Sequence, residues 1–428
     1  MVHINESSMY CLEWEVGMKK LISQKVEMKL DPQQKKQLDL RAHICLQLYN
    51  RLFCMCRENY RATHDSLLSG NTLNNMLPSL KRQYPELQNV YSSVLKHVVF
   101  ELKKSLHAIP KEKRFTELHF LDSMDKWFYL FYGDKGKGYK VISPRCLRIS
   151  LSGKKRMYVT MSQDILSVNI EYLSIVQKYG RYFAIFQYYV DIPRVLVKKQ
   201  SSSWIAIDQN HENFFMAIDS RGITYQFTRL LSERYFNKQI NSIVDKMKEC
   251  GSLKEDGELV VTDSKRWRYL KRTLNRLCNK RKEQTFVALH SISKWLAHRY
   301  DCILIGNYLP EKKDIPEHNM EDTMLQRSHI GRFRKILKWD CEKRGKEFRL
   351  VDERGTTATC CLCGSYYHKD PKQRTYICYK THTVVVRDLN ACVNIARKGC
   401  VSVTYVVVDK IDQMIMYDYQ LNRLKRIK

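Results

Sequence analysis

The sequence is short of acidic charge and has no long apolar segment. Its 428 residues contain 45 Asp and Glu against 74 Lys and Arg, so the formal net charge at neutral pH is +29. No apolar run reaches the roughly 18 residues that a membrane-spanning helix needs. The residues that follow Met1 also lack the basic, apolar and cleavage segments of a signal peptide. We therefore expect neither a membrane protein nor a secreted one.

Internal repeats, long low-complexity segments and a disulfide pattern are also missing. The 15 cysteines are odd in number and lie scattered in apolar segments such as RLFCMC and RLCNKR, which is typical of a reducing compartment. The length predicts two to four domains. Because the basic residues are spread along the whole chain, the protein is expected to attract polyanions, and nucleic acid is the expected partner.

The first half of the chain changes from helical to β-rich patterns. Apolar residues recur at helical spacing from Asp31, a predicted N-cap, to about Asn59, and again from about Leu77 to Leu106. Residues 126–193 consist of short aromatic and β-branched runs broken by GDKGKG, SGKK and YG, which predict a small β-barrel or sheet. The polar segment VLVKKQSSS, ending at Ser203, is typical of a linker.

The second half begins with three strand-like pieces in WIAIDQNHENFFMAIDSRGITYQFTR. Helical sequence follows from about Leu231 and includes the basic segment KRWRYLKRTLNRLCNKRKEQ. The run CILIGN predicts a buried strand, IGRFRKILKWDCEKRG a helix that ends at Gly345, and EFRLVDE another strand. This order of strands and helices is the order of the RNase H fold.

A possible zinc site lies within residues 353–397. Cys360 and Cys363 have the C-x2-C spacing at which a tight turn brings two thiolates to one tetrahedral ion. Cys378 follows after fourteen residues and His382 lies four positions beyond it, which predicts a zinc site of Cys360, Cys363, Cys378 and His382. The alternative is a loop that keeps its turn without a metal. In either case the role would be structural, bracing the helix that begins at Asp388.

Two aspartates stand at positions suited to catalysis. Asp208 ends an apolar strand, and Asp388 lies at the start of a predicted helix. RNase H-type nucleases need two or three carboxylates around two magnesium ions about 4 Å apart. Taken singly, each aspartate could equally be a strand-end or N-cap residue.

The order of IDQNHENFFMAID, SISKWLAHRYDCILIGN, TTATCCLCG and RDLNACVNIA resembles the TnpB and Fanzor family of RNA-guided nucleases, nearer its Fanzor-like branch. The family is related to type V CRISPR effectors. The resemblance covers residues 204–397 well and the first half only in plan. It implies Asp208 as the first RuvC carboxylate and Asp388 as the last.

The fold that the resemblance implies is an α/β RuvC (RNase H-like) nuclease domain with a zinc-knuckle insertion, preceded by a helical recognition lobe and a wedge-like β-barrel. The expected boundaries are 1–30 for the start of the β-rich wedge region, 31–125 for the helical recognition lobe, 126–200 for the rest of the wedge region, 204–355 for the first part of the RuvC-like domain, 356–386 for the zinc knuckle, and 387–428 for the RuvC-like end and C-terminal tail.

The sequence departs from the family pattern at two ligand positions. Gly306 and Asn307 stand where a glutamate usually ends the fourth strand. The resemblance implies Glu353, after the neighbouring strand, as the replacement, because Fanzor-like members carry a glutamate displaced to that position. Strands about 4.8 Å apart permit it to reach the same ions. Glu311 is the lesser candidate, Asp352 would face the other side of the sheet, and a site without a third ligand would be inactive.

The second departure is in the knuckle, where Thr381 stands at the position of the expected fourth cysteine. Threonine is not an ordinary zinc ligand. His382 is the natural substitute, with His368 or Cys361 behind it.

The function implied is RNA-guided cleavage of double-stranded DNA, with a transposon-derived guide RNA, two Mg²⁺ ions and a structural Zn²⁺. One protein per guide RNA is expected. The alternatives are an RNA-guided DNA-binding protein or repressor that has lost catalysis, and a guide-independent resolvase. We expect a nuclear protein if the host is a eukaryote or a eukaryotic virus, with KRKEQ and RLKRIK as possible import signals, and otherwise a cytoplasmic one. The residues expected to contact nucleic-acid backbones are Lys265, Arg266, Arg268, Lys271, Arg272, Arg276, Lys280 and Arg281.

Overall fold

The structure, a computed structural model, separates into two compact units. Lys19–Val190 form one unit, and Asp191–Lys428 form the main part of the other. The residues described are 19–63, 67–110, 113–121, 128–166, 169–178, 180–192, 203–210, 213–228, 230–253, 259–261, 264–307, 329–366, 373–404 and 406–427.

The first helix of the first unit begins where the sequence predicts. Asp31 caps the first helix with a reciprocal pair of hydrogen bonds to Gln34, of 2.7 Å to the Asp31 carboxylate and 3.1 Å to the Gln34 side chain. The second predicted helical region is two helices, because Pro85 disfavours helical backbone at Tyr84 and starts a short 3-10 turn, Pro85–Asn89. The helices are α1 (Pro32–Ala62), α2 (Gly70–Gln83), α3 (Ser92–Ala108) and α4 (Arg114–Glu117).

One seven-stranded sheet completes the first unit. Its order is β2-β6-β7-β1-β5-β4-β3, so that β2 and β3 are its edges among the described residues. β1 precedes the helices in sequence but pairs antiparallel with β5, where Met28 lies opposite Met161. The strands are β1 (Lys19–Lys29), β2 (Tyr129–Tyr132), β3 (Tyr139–Ser143), β4 (Cys146–Ser152), β5 (Lys155–Met161), β6 (Ile170–Lys178) and β7 (Arg181–Asp191).

The second unit contains another seven-stranded sheet, of order β14-β13-β8-β9-β10-β17-β18. β8, β9 and β10 form an antiparallel meander, while β13 and β14 run parallel to β8, which is the RNase H arrangement that the sequence predicts. The strands of this sheet are β8 (Trp204–Gln209), β9 (Phe215–Asp219), β10 (Thr224–Phe227), β13 (Cys302–Gly306), β14 (Glu347–Val351), β17 (Gln413–Asp418) and β18 (Arg423–Arg426).

Helices cover both faces of this sheet. All six residues of β8 are buried, because alternate side chains face opposite helices. Ile205 and Ile207 join the core with α6 and α7, whereas Trp204 and Ala206 join the core with α8. The helices are α5 (Leu231–Lys248), α6 (Lys265–Arg299), α7 (Ile330–Glu342) and α8 (Arg387–Lys398); the remaining strands are the pairs β11 (Gly251–Leu253) with β12 (Leu259–Val261) and β15 (Thr375–Ile377) with β16 (Val384–Val386).

None of the helices in the described ranges combines the length and apolar character needed to cross a membrane. This finding agrees with the absence of a long apolar run in the sequence.

Asp219 forms a buried polar cluster at the end of β9. Its Oδ2 accepts hydrogen bonds of 3.1 Å from both Tyr225 and Tyr300, and of 2.8 Å from Arg221. Its Oδ1 accepts the backbone N–H groups of Arg221 and Ile223. Burial raises the pKa of both tyrosines, so their hydroxyls stay protonated and act as donors.

We predict that Asp219→Asn lowers the free energy of unfolding by about 2–3 kcal/mol, because an amide nitrogen would meet donors that the carboxylate now accepts. Urea denaturation followed by tryptophan fluorescence measures the loss. Asp245→Asn is the matched control, since Asp245 is 67% exposed in its pair with Lys248 and should change stability by less than about 0.5 kcal/mol. An equal effect of the two variants would contradict the prediction.

Candidate functional site

Asp208 and Glu353 face the same side of the sheet. On β8, Asp208 shares the parity of Trp204 and Ala206, which face α8. On β14, Val351 faces α8 and lies opposite Gly306 of β13, so Glu353, two residues later, continues that face. Asp352 is exposed, and its carboxylate accepts the backbone N–H of Arg354 at 3.2 Å.

Asp388 reaches the same place from the first turn of α8. It is 7% exposed, and the positive end of the helix dipole favours its negative charge. Asn210, just after β8, donates to Asp388 Oδ2 at 3.2 Å and so joins the strand end to the helix start. The guanidinium groups of Arg374 and Arg387 lie 3.4 and 3.3 Å from the Asp388 carboxylate.

The three carboxylates interact electrostatically. Burial, followed by the negative charges of Glu353 and Asp388, raises the pKa of Asp208 well above its ordinary range, while Arg387 and Arg374 lower it. In the described residues, the carboxylate oxygens of these three side chains do not all lie within 4.8 Å of one another.

Gly306 and Asn307, which replace the usual glutamate, both serve Glu353. A Cβ atom on Gly306 would overlap Oε1, Cδ and Cγ of Glu353, so the missing side chain leaves the space that Glu353 fills. The Asn307 side-chain oxygen accepts the backbone N–H of Glu353 at 3.3 Å, and the Asn307 N–H donates to Val351 at 2.9 Å. The sequence shows this departure from the family pattern. It does not show that Gly306 makes space for the Glu353 side chain or that Asn307 binds the Glu353 backbone.

Two asparagines of α8 hold the loop that follows Glu353. Asn390 is fully buried; its amide donates to the carbonyls of Thr356 and Thr359, at 3.0 and 2.9 Å, and its oxygen accepts the N–H of Cys361 at 2.7 Å. Asn394 donates to the same two carbonyls, at 2.8 and 2.7 Å. The helix that carries Asp388 therefore also fixes the loop that carries Glu353. The motif RDLNACVNIA showed these asparagines, but not their partners.

Three of the four predicted zinc ligands come together. The sulfur atoms of Cys360, Cys363 and Cys378 lie within 4.8 Å of one another, and this is the one such group of metal-ligating side chains in the described residues. Cys360 and Cys378 are buried. Three converging thiols are compatible with zinc binding.

His382 does not join this group in the described residues, so its role as the fourth ligand stays a prediction. The two turns of the knuckle are alike: the N–H of Gly364 donates to Cys360 at 2.8 Å, and that of His382 to Cys378 at 2.9 Å. Gly364 and His382 are both left-handed, with φ of 74° and 51°. His382 thus occupies the glycine position of its turn, and its side chain is exposed.

Thr381 stands at the position of the second turn that is equivalent to Cys363 in the first turn. Its hydroxyl and then its N–H, with that of Lys380, lower the pKa of the Cys378 thiol. Cys361, an alternative to His382 as the fourth ligand, is buried but is not part of the group of three thiols. His368, like the reserve carboxylate Glu311, lies outside the described residues.

The predicted backbone-contacting residues lie on the N-terminal half of α6. Seven of them are exposed, and Arg281 is half-buried, donating to Asn237. Arg266 lies 3.7 Å from Glu249, and Lys271 lies over the Trp267 ring at 5.8 Å. Their contact with nucleic acid stays a prediction.

Residues 331–395, which include α7, the thiol cluster and Asp388, match the family described as Cas12f1-like, TNB domain. No curated protein sequence matches significantly. The chain is similar in fold to the protein of the Cas12f1–sgRNA–target DNA complex, with a TM-score of 0.55, 11% identity and coverage of 85% of this chain and 83% of that one. It is also similar to the mini-RNA-guided endonuclease CRISPR-Cas_phi3, with a TM-score of 0.50, 12% identity and coverage of 93% and 94%. The domain match and the shared fold together confirm the predicted resemblance to the TnpB-like family, while the Fanzor-like branch stays a prediction.

Proposed function

We propose that this protein is an RNA-guided DNA endonuclease, and that Asp208, Glu353 and Asp388 form the active site that hydrolyses target DNA. The observation that carries the proposal is the complementary fit of Glu353 and Gly306, which brings a third acidic side chain to the edge where Asp208 and Asp388 meet. The structures of similar fold include a complex with guide RNA and target DNA and an RNA-guided endonuclease. A transposon-derived guide, one protein per guide, is part of the proposal.

The donor set fits magnesium, because carboxylate oxygens are the ligands that this ion prefers. Asp208, Glu353 and Asp388 would hold two Mg²⁺ ions. When bound, the ions supply an activated water and stabilisation of the leaving oxygen. Of the chain's own groups, Arg374 and Arg387 balance the charge of Asp388, while the exposed cations of α6 would follow the phosphate backbone.

A second candidate function is RNA-guided DNA binding without cleavage. The observation that favours it is the contact of two arginines, Arg374 and Arg387, with the carboxylate of Asp388. Such pairing competes with metal binding at that side chain, since each guanidinium lowers the tendency of the carboxylate to accept another cation.

We also propose that Cys360, Cys363 and Cys378 hold a structural zinc ion. The proposal rests on the convergence of three thiols at the base of a loop that leads directly from Glu353. Thiolates favour zinc, and four-coordinate sites of this kind brace small loops.

Of the predictions that follow from the proposed function, the first concerns cleavage by the protein copurified with its own RNA. With Mg²⁺ and a matched DNA target, Asp208→Asn and Glu353→Gln should each lower the cleavage rate at least about 100-fold, because a displaced or missing ligand disrupts the reacting geometry. Target binding, measured by gel shift, should be unchanged.

Asp352→Asn is the matched control, because Asp352 is exposed on the opposite side of its strand and should leave cleavage intact. A wild-type complex that binds its target and does not cut it would overturn the nuclease proposal and favour the second candidate. Cleavage that survives Glu353→Gln would instead remove Glu353 from the site.

The second prediction concerns the space over Gly306. Gly306→Ala places a methyl group where the Glu353 carboxylate lies, and a flexible side chain can move away without unfolding the strand. Cleavage should fall about 100-fold while the melting temperature changes little. The double variant Gly306→Glu with Glu353→Gly should recover part of the activity. In this variant the end of β13 supplies the glutamate that the end of β14 has lost. Wild-type cleavage by Gly306→Ala would contradict the steric argument.

The third prediction concerns zinc. Thr381→Cys should tighten zinc binding by on the order of tenfold or more, because it supplies a fourth thiolate at the position equivalent to Cys363. His382→Ala should leave binding unchanged, and Cys360→Ser should weaken it. Competition with a colorimetric chelator measures all three affinities. Loss of zinc from the His382→Ala variant would show that the imidazole is a ligand after all.

A further inference from the structure

A basic groove lies at the edge of the second sheet opposite the carboxylates. It has a volume of about 400 Å³. Four cationic side chains and two aromatic ones dominate its lining, which comprises Arg221, Tyr225, Trp295, Arg299, Lys425 and Arg426, with Gln413, Ile415 and Leu424.

The strand registers place this groove away from the candidate active site. Asp219, just before Arg221, pairs with Ile205 at the start of β8, whereas Asp208 is near the end of that strand. Tyr225 pairs with Gln413, and Ile415 pairs with Arg426, so β10, β17 and β18 meet at the same edge. A ligand in the groove would not occupy the carboxylate site.

Two of the cations are held in fixed positions. The Arg221 guanidinium donates to Asp219 Oδ2 through two nitrogens, at 3.2 and 2.8 Å. The Arg299 guanidinium stacks over the Trp295 ring, 4.2 Å from its centroid. Preorganised guanidinium groups lose less side-chain freedom when they bind an oxyanion than freely rotating ones do. The groove therefore differs from an ordinary solvated basic surface.

Positive charge dominates the lining of the groove. Four cations line it, and the Asp219 carboxylate is paired with one of them, Arg221. Two of the four come from the segment RLKRIK, which the sequence suggested as an import signal. Residues 423–426 of that segment instead form strand β18, so the cations are part of the folded sheet.

We propose that this groove binds the phosphodiester backbone of a nucleic-acid strand. Its fixed guanidinium groups suit phosphate oxygens, and the exposed ammonium of Lys425 adds a further contact. The inference goes beyond the proposed cleavage and does not depend on it, because the groove can bind a strand whether or not the carboxylates cut DNA.

The experiment measures binding of the full chain to a single-stranded RNA and, separately, to a DNA duplex across a salt series. The variant Arg299→Gln with Lys425→Gln removes two exposed groove cations. Each lost phosphate contact should reduce the slope of log affinity against log salt by about 0.7–0.9. The matched control, Lys246→Gln with Lys248→Gln, removes two exposed cations from the end of α5 and should leave the slope nearly unchanged.

A reduced slope with RNA alone, with DNA alone or with both supports the groove and identifies the strand that it takes. An equal effect of the groove and control variants on both ligands would overturn the proposal, because only the overall charge would then matter. Photo-crosslinking with thio-substituted strands gives a second readout. Crosslinked peptides should contain Trp295 or residues 421–426, and their absence at saturating ligand would also overturn it.

Discussion

The space over the Cα atom of Gly306 has room for one acidic side chain, and Glu353 fills it. The rest of the candidate active site depends on the absence of a side chain at position 306. A side chain at position 306 would force the glutamate away from Asp208, while the hydrogen bond that the Glu353 N–H donates to the Asn307 side chain holds the Glu353 backbone beside β13. The glycine and the glutamate are thus two halves of one arrangement, contributed by neighbouring parallel strands.

Helix α8 links this arrangement to the thiol cluster. Its first turn supplies Asp388, its apolar residues Leu389 and Val393 pack on the sheet, and its buried asparagines bind the backbone of the loop after Glu353. Because buried amide groups are costly to leave without partners, these hydrogen bonds give the loop a single preferred conformation. The helix therefore contributes both to the geometry of the candidate site and to the packing of the sheet.

Much of the second unit could be predicted from sequence because its signals are local. The strand parity that places Asp208 and Glu353 on one face and Asp352 on the other follows from a period of two. The Asp31 cap follows from residues three positions apart. The role of Gly306 could not be predicted, since it depends on how closely β13 and β14 approach across the sheet.

The position of His382 outside the thiol group has a different physical cause. Spacing along the chain shows which side chains are within reach of an ion, but not the direction in which a turn points them. The left-handed backbone at His382 turns the imidazole outward and leaves Thr381 at the position equivalent to Cys363. The strands β17 and β18 were also missed. β17 pairs with β10, which lies almost two hundred residues earlier in the chain, and β18 joins the sheet only through its pairing with β17.

Residues 354–359 connect Glu353 directly to Cys360, and the asparagines of α8 fasten the middle of this short connection. One member of the carboxylate site, Glu353, and two members of the thiol group, Cys360 and Cys363, therefore lie on one short segment of chain. A ligand that orders this segment at one site lowers the conformational-entropy cost of binding a ligand at the other site. By thermodynamic reciprocity, a ligand bound at the thiols and a ligand bound at the carboxylates would then strengthen each other's binding by the same factor.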